Sequence, residues 1–221
     1  MEIKIKSLED LKRILSNPLN GLAKDDLQER FEQLAKSLFE DFAIQCGDKQ
    51  FRFAEIEFYY YKKGEWNEDW NKETYPRNNK QAGELFFHYS GVDLCFRSYY
   101  NKTSAEFGGI LIRSLLDGNE ILAGPLYCAN MMLNTCQNSM PKLVDAEHKA
   151  FLINSAKRCN IKSDNQATMD LYLCYYADSQ DNIKLDWTNT CVRQDWIKSQ
   201  ERLKSTKRNY LNDRNFIIKR T

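Results

Sequence analysis

The chain has only two histidines, His88 and His148, and no Cys-x-x-Cys spacing among its cysteines. A zinc site built on the usual ligand spacings is therefore not expected, and the reading assigns no metal and no cofactor. Seven cysteines, at positions 46, 95, 128, 136, 159, 174 and 191, are odd in number and scattered. That argues against a disulfide framework and for reduced thiols in a cytoplasmic protein. No apolar run approaches the roughly 18 residues of a membrane span, and no signal or transit segment is expected. Net charge is only +1, from 32 Lys and Arg against 31 Asp and Glu. Overall charge therefore does not advertise a nucleic-acid binder. The one asymmetry is the C-terminal tail, where Lys204, Lys207, Arg208, Arg214, Lys219 and Arg220 face only Asp213. It reads as a solvated end or a phosphate-binding one. Prolines number four, and no internal repeat or low-complexity linker divides the chain.

What is present is aromatic: 12 Tyr, 12 Phe and 4 Trp in 221 residues. That length suits one domain with a sizeable core, and residues 1–221 are read as a monomeric single domain whose first 48 residues are its helical part. Two segments carry the chemistry. Residues 51–61 read FRFAEIEFYYY and residues 108–115 read GGILIRSL. Each sets charge inside an apolar or aromatic run. A strand alternates its side chains between two faces, so Phe51, Phe53, Glu55, Glu57 and Tyr59 share one, as do Leu111, Arg113 and Leu115. Carboxylate among rings and arginine among leucines are each costly to bury alone. Adjacent strands would let them pair, either as a structural ion pair or around a ligand. Glu55, on the same face, is the rival carboxylate.

Ser7 followed by Asp10 marks the start of a short helix to about residue 15. Leu27, Phe31, Leu34, Leu38 and Phe42 form one stripe, which predicts a helix over 25–42. Residues 62–82, with Trp66 and Trp70, form a long polar loop of the kind that often carries function. Residues 85–89 and 94–100 read as a hairpin turning at Ser90-Gly91. Gly108-Gly109 precedes the arginine-bearing strand as a possible bulge or close approach. Gly124-Pro125 starts a helix to about residue 134, and 145–158 reads as another. A strand at 169–176, a helix at 193–202 and a last strand at 216–218 complete the pattern. His88 reads as a sheet histidine on the face opposite Phe87, and Cys95 as a small core residue. The sum is an α+β domain, with a mostly antiparallel sheet flanked by helices.

The order of these motifs resembles the alkyladenine (3-methyladenine, methylpurine) DNA glycosylase family. Glu55-Ile56-Glu57-Phe58-Tyr59 is similar to its E-x-E-A-Y strand, and Tyr75-Pro76-Arg77-Asn78 to its T-P-R-N. Ala82-Gly83-Glu84-Leu85-Phe86 resembles P-G-x-L-Y, and Leu111-Ile112-Arg113-Ser114-Leu115 resembles L-L-R-A-L. The resemblance covers roughly residues 50–130. It implies a curved sheet of that family's type and metal-independent hydrolysis of an N-glycosidic bond, as in base excision repair. By the resemblance Glu57 is the base that activates water and Arg113 helps hold water and carboxylate. Tyr59 and Phe87 stand where the family stacks the extruded base. Arg77 and Asn78 themselves read either as phosphate contacts or as caps of the long loop. Glu68 stands where the family has a histidine, Ser90 where it has a wedge tyrosine, and Arg97 where it has an asparagine. Without the wedge, the expected substrate is a modified base in single-stranded or distorted nucleic acid, or a nucleoside or nucleotide. A non-catalytic nucleotide- or partner-binding module on the same fold is the alternative.

Overall fold

The computed structural model describes residues 5–17, 26–63, 79–100, 105–137, 139–156 and 174–178. The first helix, α1 (Leu8–Leu15), begins where Ser7 Oγ accepts a bond from the Asp10 amide at 3.2 Å. That bond satisfies an amide the helix cannot pair internally. Ser7→Ala is expected to lower stability by about 1 kcal/mol in urea denaturation. An unchanged midpoint and slope would remove the cap from this account. The stripe Leu27, Phe31, Leu34 and Leu38 is fully buried on α2 (Leu27–Asp41). Phe42, the next step of the stripe, is already extended (φ −127°, ψ 157°). It opens β1 (Phe42–Cys46), so the last residue of the expected helix is the first of a strand.

The remaining elements are β2 (Lys49–Lys62), β3 (Leu85–His88), β4 (Gly91–Cys95), β5 (Tyr99–Tyr100), β6 (Ala105–Asp117), β7 (Glu120–Ala123), α3 (Pro125–Cys136), β8 (Lys142–Asp145), β9 (Leu152–Ala156) and β10 (Cys174–Asp178). The described residues thus form a mixed α/β structure with three helices and a curled, antiparallel 10-stranded sheet. Its spine is the long β2–β6 pair, from Arg52↔Leu116 to Lys62↔Glu106. Both outer edges of the spine are shared. β2 takes β1 at one end and β10 beside Glu55–Glu57. β6 takes β5, β4 and β7 in succession.

The two faces differ in chemistry. Phe58 stacks on Phe31 of α2 with ring centroids 4.4 Å apart, and Tyr175 meets Phe58 edge-on at 5.5 Å. Ile56, Ile110, Ile112, Val92 and Leu94 join that apolar layer. Glu57, one residue from Phe58, faces the other way, with its register partners Leu111 and Cys174. Asp93 extends the row beyond Leu111. Here α3 closes the sheet: Pro125 packs so tightly on Gly91 that a Cβ there would lie 2.7 Å from Pro125 Cβ.

Several expectations are corrected. No described residue of the segment read as a helix over 145–158 is helical: Asp145 ends β8, which pairs with β1, and Leu152–Ala156 form β9, which pairs with β10. Long-range pairing overrides the local preference there. The hairpin turns at Tyr89-Ser90, and Gly91 is the first residue of β4 rather than the turn glycine. Its second strand ends at Cys95, with Tyr99–Tyr100 a separate short strand on β6. Gly108 and Gly109 lie within β6, not before it; the irregularity in the β2–β6 register falls at Phe53–Ile56. Their close-approach role holds for Gly108, which sits against Tyr59 and Phe96. Arg77, Asn78, Trp66, Trp70 and Glu68 lie outside the described residues, as do the helix at 193–202, the strand at 216–218 and the basic tail. Of the strand expected at 169–176, the described part begins at Cys174. Among the described residues no helix is long and apolar enough to cross a membrane.

Candidate functional site

Glu55 and Glu57 lie on β2 at the register irregularity beside Arg113 of the neighbouring β6, which falls between the Glu55↔Ser114 and Ile56↔Ile112 pairs. Arg113 Nη1 donates to Glu57 Oε2 at 3.0 Å, and Arg113 Nε donates to Glu55 Oε1 at 3.1 Å. One planar guanidinium therefore spans two carboxylates, a geometry its rigid fork favours over a lysine. Glu55 is further held by Ser114 Oγ, 3.0 Å from Oε2, and by Cys174 Sγ at 3.8 Å from Oε1. All three charged residues are buried, at 7%, 3% and 8% exposure for Glu55, Glu57 and Arg113. Burial works against the Arg113 charge, but the fields of Glu55 and then Glu57 overcome it and raise its pKa. Arg113 is thus a permanent cation at this point. Cys128 on α3 lies beside the group and donates through Sγ to the Leu122 carbonyl. Burial, followed by the Glu55 field, pushes its thiol up to about 12, so it stays protonated.

The hairpin adds a second polar set to the same face. Asp93 is fully buried, with its Oδ2 3.3 Å from His88 Nε2. His88 Nδ1 lies 2.9 Å from Ser90 Oγ at the exposed turn. Phe86 stacks on His88 with centroids 5.7 Å apart. In register, Asp93 and Glu57 flank Leu111 across neighbouring strands. Sequence reasoning missed Asp93, although Val92-Asp93-Leu94 carries the signal that marked Glu57 and Arg113: one charge inside an apolar strand.

The structure brings Glu57 and Arg113 together and puts Tyr59 on their face, half-buried, two residues along β2. Phe87 is not there. It pairs with Val92 and packs on the opposite, apolar face, so the β3 ring on the charged side is Phe86. His88 is on the face opposite Phe87, as the alternation required. Ser90 is exposed at the hairpin tip beside Tyr89, which is 90% exposed. Arg97 is exposed as well, its amide donating to the Leu15 carbonyl at 3.0 Å. Lys80, a basic residue between the long loop and the hairpin, is paired with Glu84 at 2.7 Å. A cavity of about 520 Å³ lies elsewhere, between the β1–β2 turn and the end of α3; it is lined by Cys46, Lys49, Thr135 and Cys136 among others and shares no residue with the charged group.

Chemically, a carboxylate held in place by an arginine can orient a water and take its proton. The same arrangement can equally anchor a polar ligand. Comparison of the chain with protein-family models, with curated proteins and with solved structures finds no match.

Proposed function

We propose that the charged face of the sheet is the centre of a metal-independent N-glycosidic hydrolase resembling the alkyladenine DNA glycosylases, on a fold of that type. Glu57 is the general base and Arg113 orients it. The observation that supports this reading most is the 3.0 Å bond between Arg113 and Glu57. Two motifs that the resemblance pairs, 56 positions apart in the chain, meet at bonding distance. Cleavage needs a water delivered to the sugar carbon as the base leaves, with negative charge nearby to stabilise the developing positive sugar; a buried anion serves both ends. Tyr59, on the same face, presents a ring on which a planar base can stack, worth roughly 1–3 kcal/mol. Glu55 is the positioning partner: it holds the second edge of the guanidinium and is itself fixed by Ser114. The substrate is a modified base in single-stranded or distorted nucleic acid, or a nucleoside.

The test is release of free base from alkylated DNA, deoxyinosine-containing DNA and free nucleosides, followed chromatographically. Glu57→Gln is expected to lower the release rate at least about 100-fold while the protein remains folded. Release from none of these substrates removes the hydrolase. The second reading, a binding module for a nucleotide or a partner, is favoured by one observation. Arg113 is shared between two carboxylates, as in a structural ion cluster. It predicts ligand binding that survives Glu57→Gln without base release.

A further inference from the structure

The β3–β4 hairpin holds a hydroxyl, an imidazole and a carboxylate in sequence, and the Glu57 chemistry uses none of them. At the tip, Ser90 Oγ lies 2.9 Å from His88 Nδ1. Across the ring, His88 Nε2 lies 3.3 Å from Asp93 Oδ2. The Ser90 amide also points at Nδ1, at 3.4 Å. A backbone amide can only donate, so Nδ1 accepts, and the proton of the neutral ring sits on Nε2, toward Asp93. The order is then hydroxyl, base, carboxylate. Nδ1 is placed to take the Ser90 proton, and Asp93 faces the charge that forms on the ring.

Burial is graded along the three as nucleophilic chemistry needs. Asp93 is fully buried, the His88 side chain is 13% exposed, and Ser90 is open to solvent. Phe86 stacks on the imidazole and holds its plane. The 3.3 Å contact is longer than a well-formed bond, as such contacts often are before substrate draws the groups together. A second element supplies what the hydroxyl alone lacks. α3 begins against the hairpin, with Pro125 packed on Gly91, the residue after Ser90. No side chain caps this helix, and the Cys128 amide is the one that bonds back to the Gly124 carbonyl. The Leu126 and Tyr127 amides therefore have no acceptor within the helix. They are donors at the positive end of a helix dipole, the chemistry that holds a developing oxyanion. Tyr89, Leu126 and Tyr127 add exposed apolar side chains on the same two elements.

We propose that Ser90, His88 and Asp93 form a nucleophilic triad that hydrolyses reactive esters with an apolar acyl group. Ser90 Oγ attacks the acyl carbon as its proton passes to His88 Nδ1. The bond from that carbon to the leaving oxygen breaks, and the leaving group takes the proton from Nδ1. Water then attacks the acyl-serine carbon and gives a proton to Nδ1. The carbon–Oγ bond breaks, Ser90 takes that proton back, and a carboxylic acid departs. Ser90 and His88 are the catalytic residues. Asp93 is a positioning residue that acts through the ring. The triad shares no residue with the Glu55–Arg113–Glu57 group, so it stands or falls apart from base release.

The experiment treats the full chain with a fluorophosphonate, which phosphonylates an activated serine with loss of fluoride, and reads the modified residue by peptide mass spectrometry. Hydrolysis of p-nitrophenyl butyrate is followed by absorbance on the same protein. The expected result is an adduct on Ser90 and ester hydrolysis that Ser90→Ala returns to the uncatalysed rate. His88→Asn is expected to slow hydrolysis at least about 100-fold. Asp93→Asn is expected to lower kcat at least about tenfold with KM unchanged, a split that a loss of folding does not produce. Ser90 is exposed at a turn, so its variant stays readable if Asp93→Asn fails to fold. No adduct, an adduct on Tyr89 or elsewhere instead of Ser90, or hydrolysis that survives Ser90→Ala each overturns the triad.

Discussion

Arg113→Ala is expected to lower stability by about 3–5 kcal/mol at neutral pH, measured by urea denaturation. The figure follows from what the substitution leaves behind. Glu55 and Glu57 are both buried and share one guanidinium, so its loss strands two adjacent anions away from water. A deficit below about 1 kcal/mol at pH 7 is the behaviour of a surface pair and would contradict the burial described here. Adding Glu55→Gln and Glu57→Gln to Arg113→Met is expected to recover most of the loss, because the cost lies in the unpaired charges rather than in the missing contact. If that triple variant matches the parent in stability, the ion cluster is not held for stability, which favours a role in ligand chemistry.

The second large effect is expected at Gly108. A Cβ there would lie 2.3 Å from the Tyr59 carbonyl oxygen and 2.9 Å from the Phe96 ring. The first of these is backbone on the neighbouring strand, so no side chain can swing clear. Gly108→Ala must push β6 away from β2, at a cost of about 3 kcal/mol. The same displacement strains the Arg113–Glu57 bond three positions along the ladder, so base release or ligand binding should fall with stability. Gly118→Ala is the control. Nothing lies within 4 Å of its Cβ position, and only the left-handed backbone (φ +62°) opposes the change, at about 1 kcal/mol. Equal losses at the two glycines, read from the same denaturation series, would count against close strand contact at Gly108.

The elements legible in the sequence are those whose signal is local. Ser7 and Asp10 announced α1, and the Leu27–Phe31–Leu34–Leu38 stripe announced α2. Pro125 behind Gly124 announced α3, and the apolar runs with embedded charge announced β2 and β6. Where the reading failed, a distant partner decided. Phe42 continues the helical stripe numerically, yet it starts β1 because it pairs with Asp145 of β8, and from Ala43 onward the strand has β2 on its other side. Residues 145–158 pass for a helix until β1 pairs with Asp145 and β10 pairs with Leu152–Ala156. The hairpin was legible to within a residue or two, but which ring faces the charges was not. A shift of one position in the turn moves Phe87 to the far face and brings Phe86 to the near one.

By itself, then, the chain order determined that Glu55, Glu57 and Arg113 carry charge into apolar strands and that Glu55 and Glu57 share a face, since alternation and helical period are properties of neighbours. Only the folded sheet decided that Arg113 would be shared by Glu55 and Glu57, that Asp93 would be buried beside His88, and that α3 would close on Gly91. Ladder register and strand order set those encounters, so no local pattern can encode them.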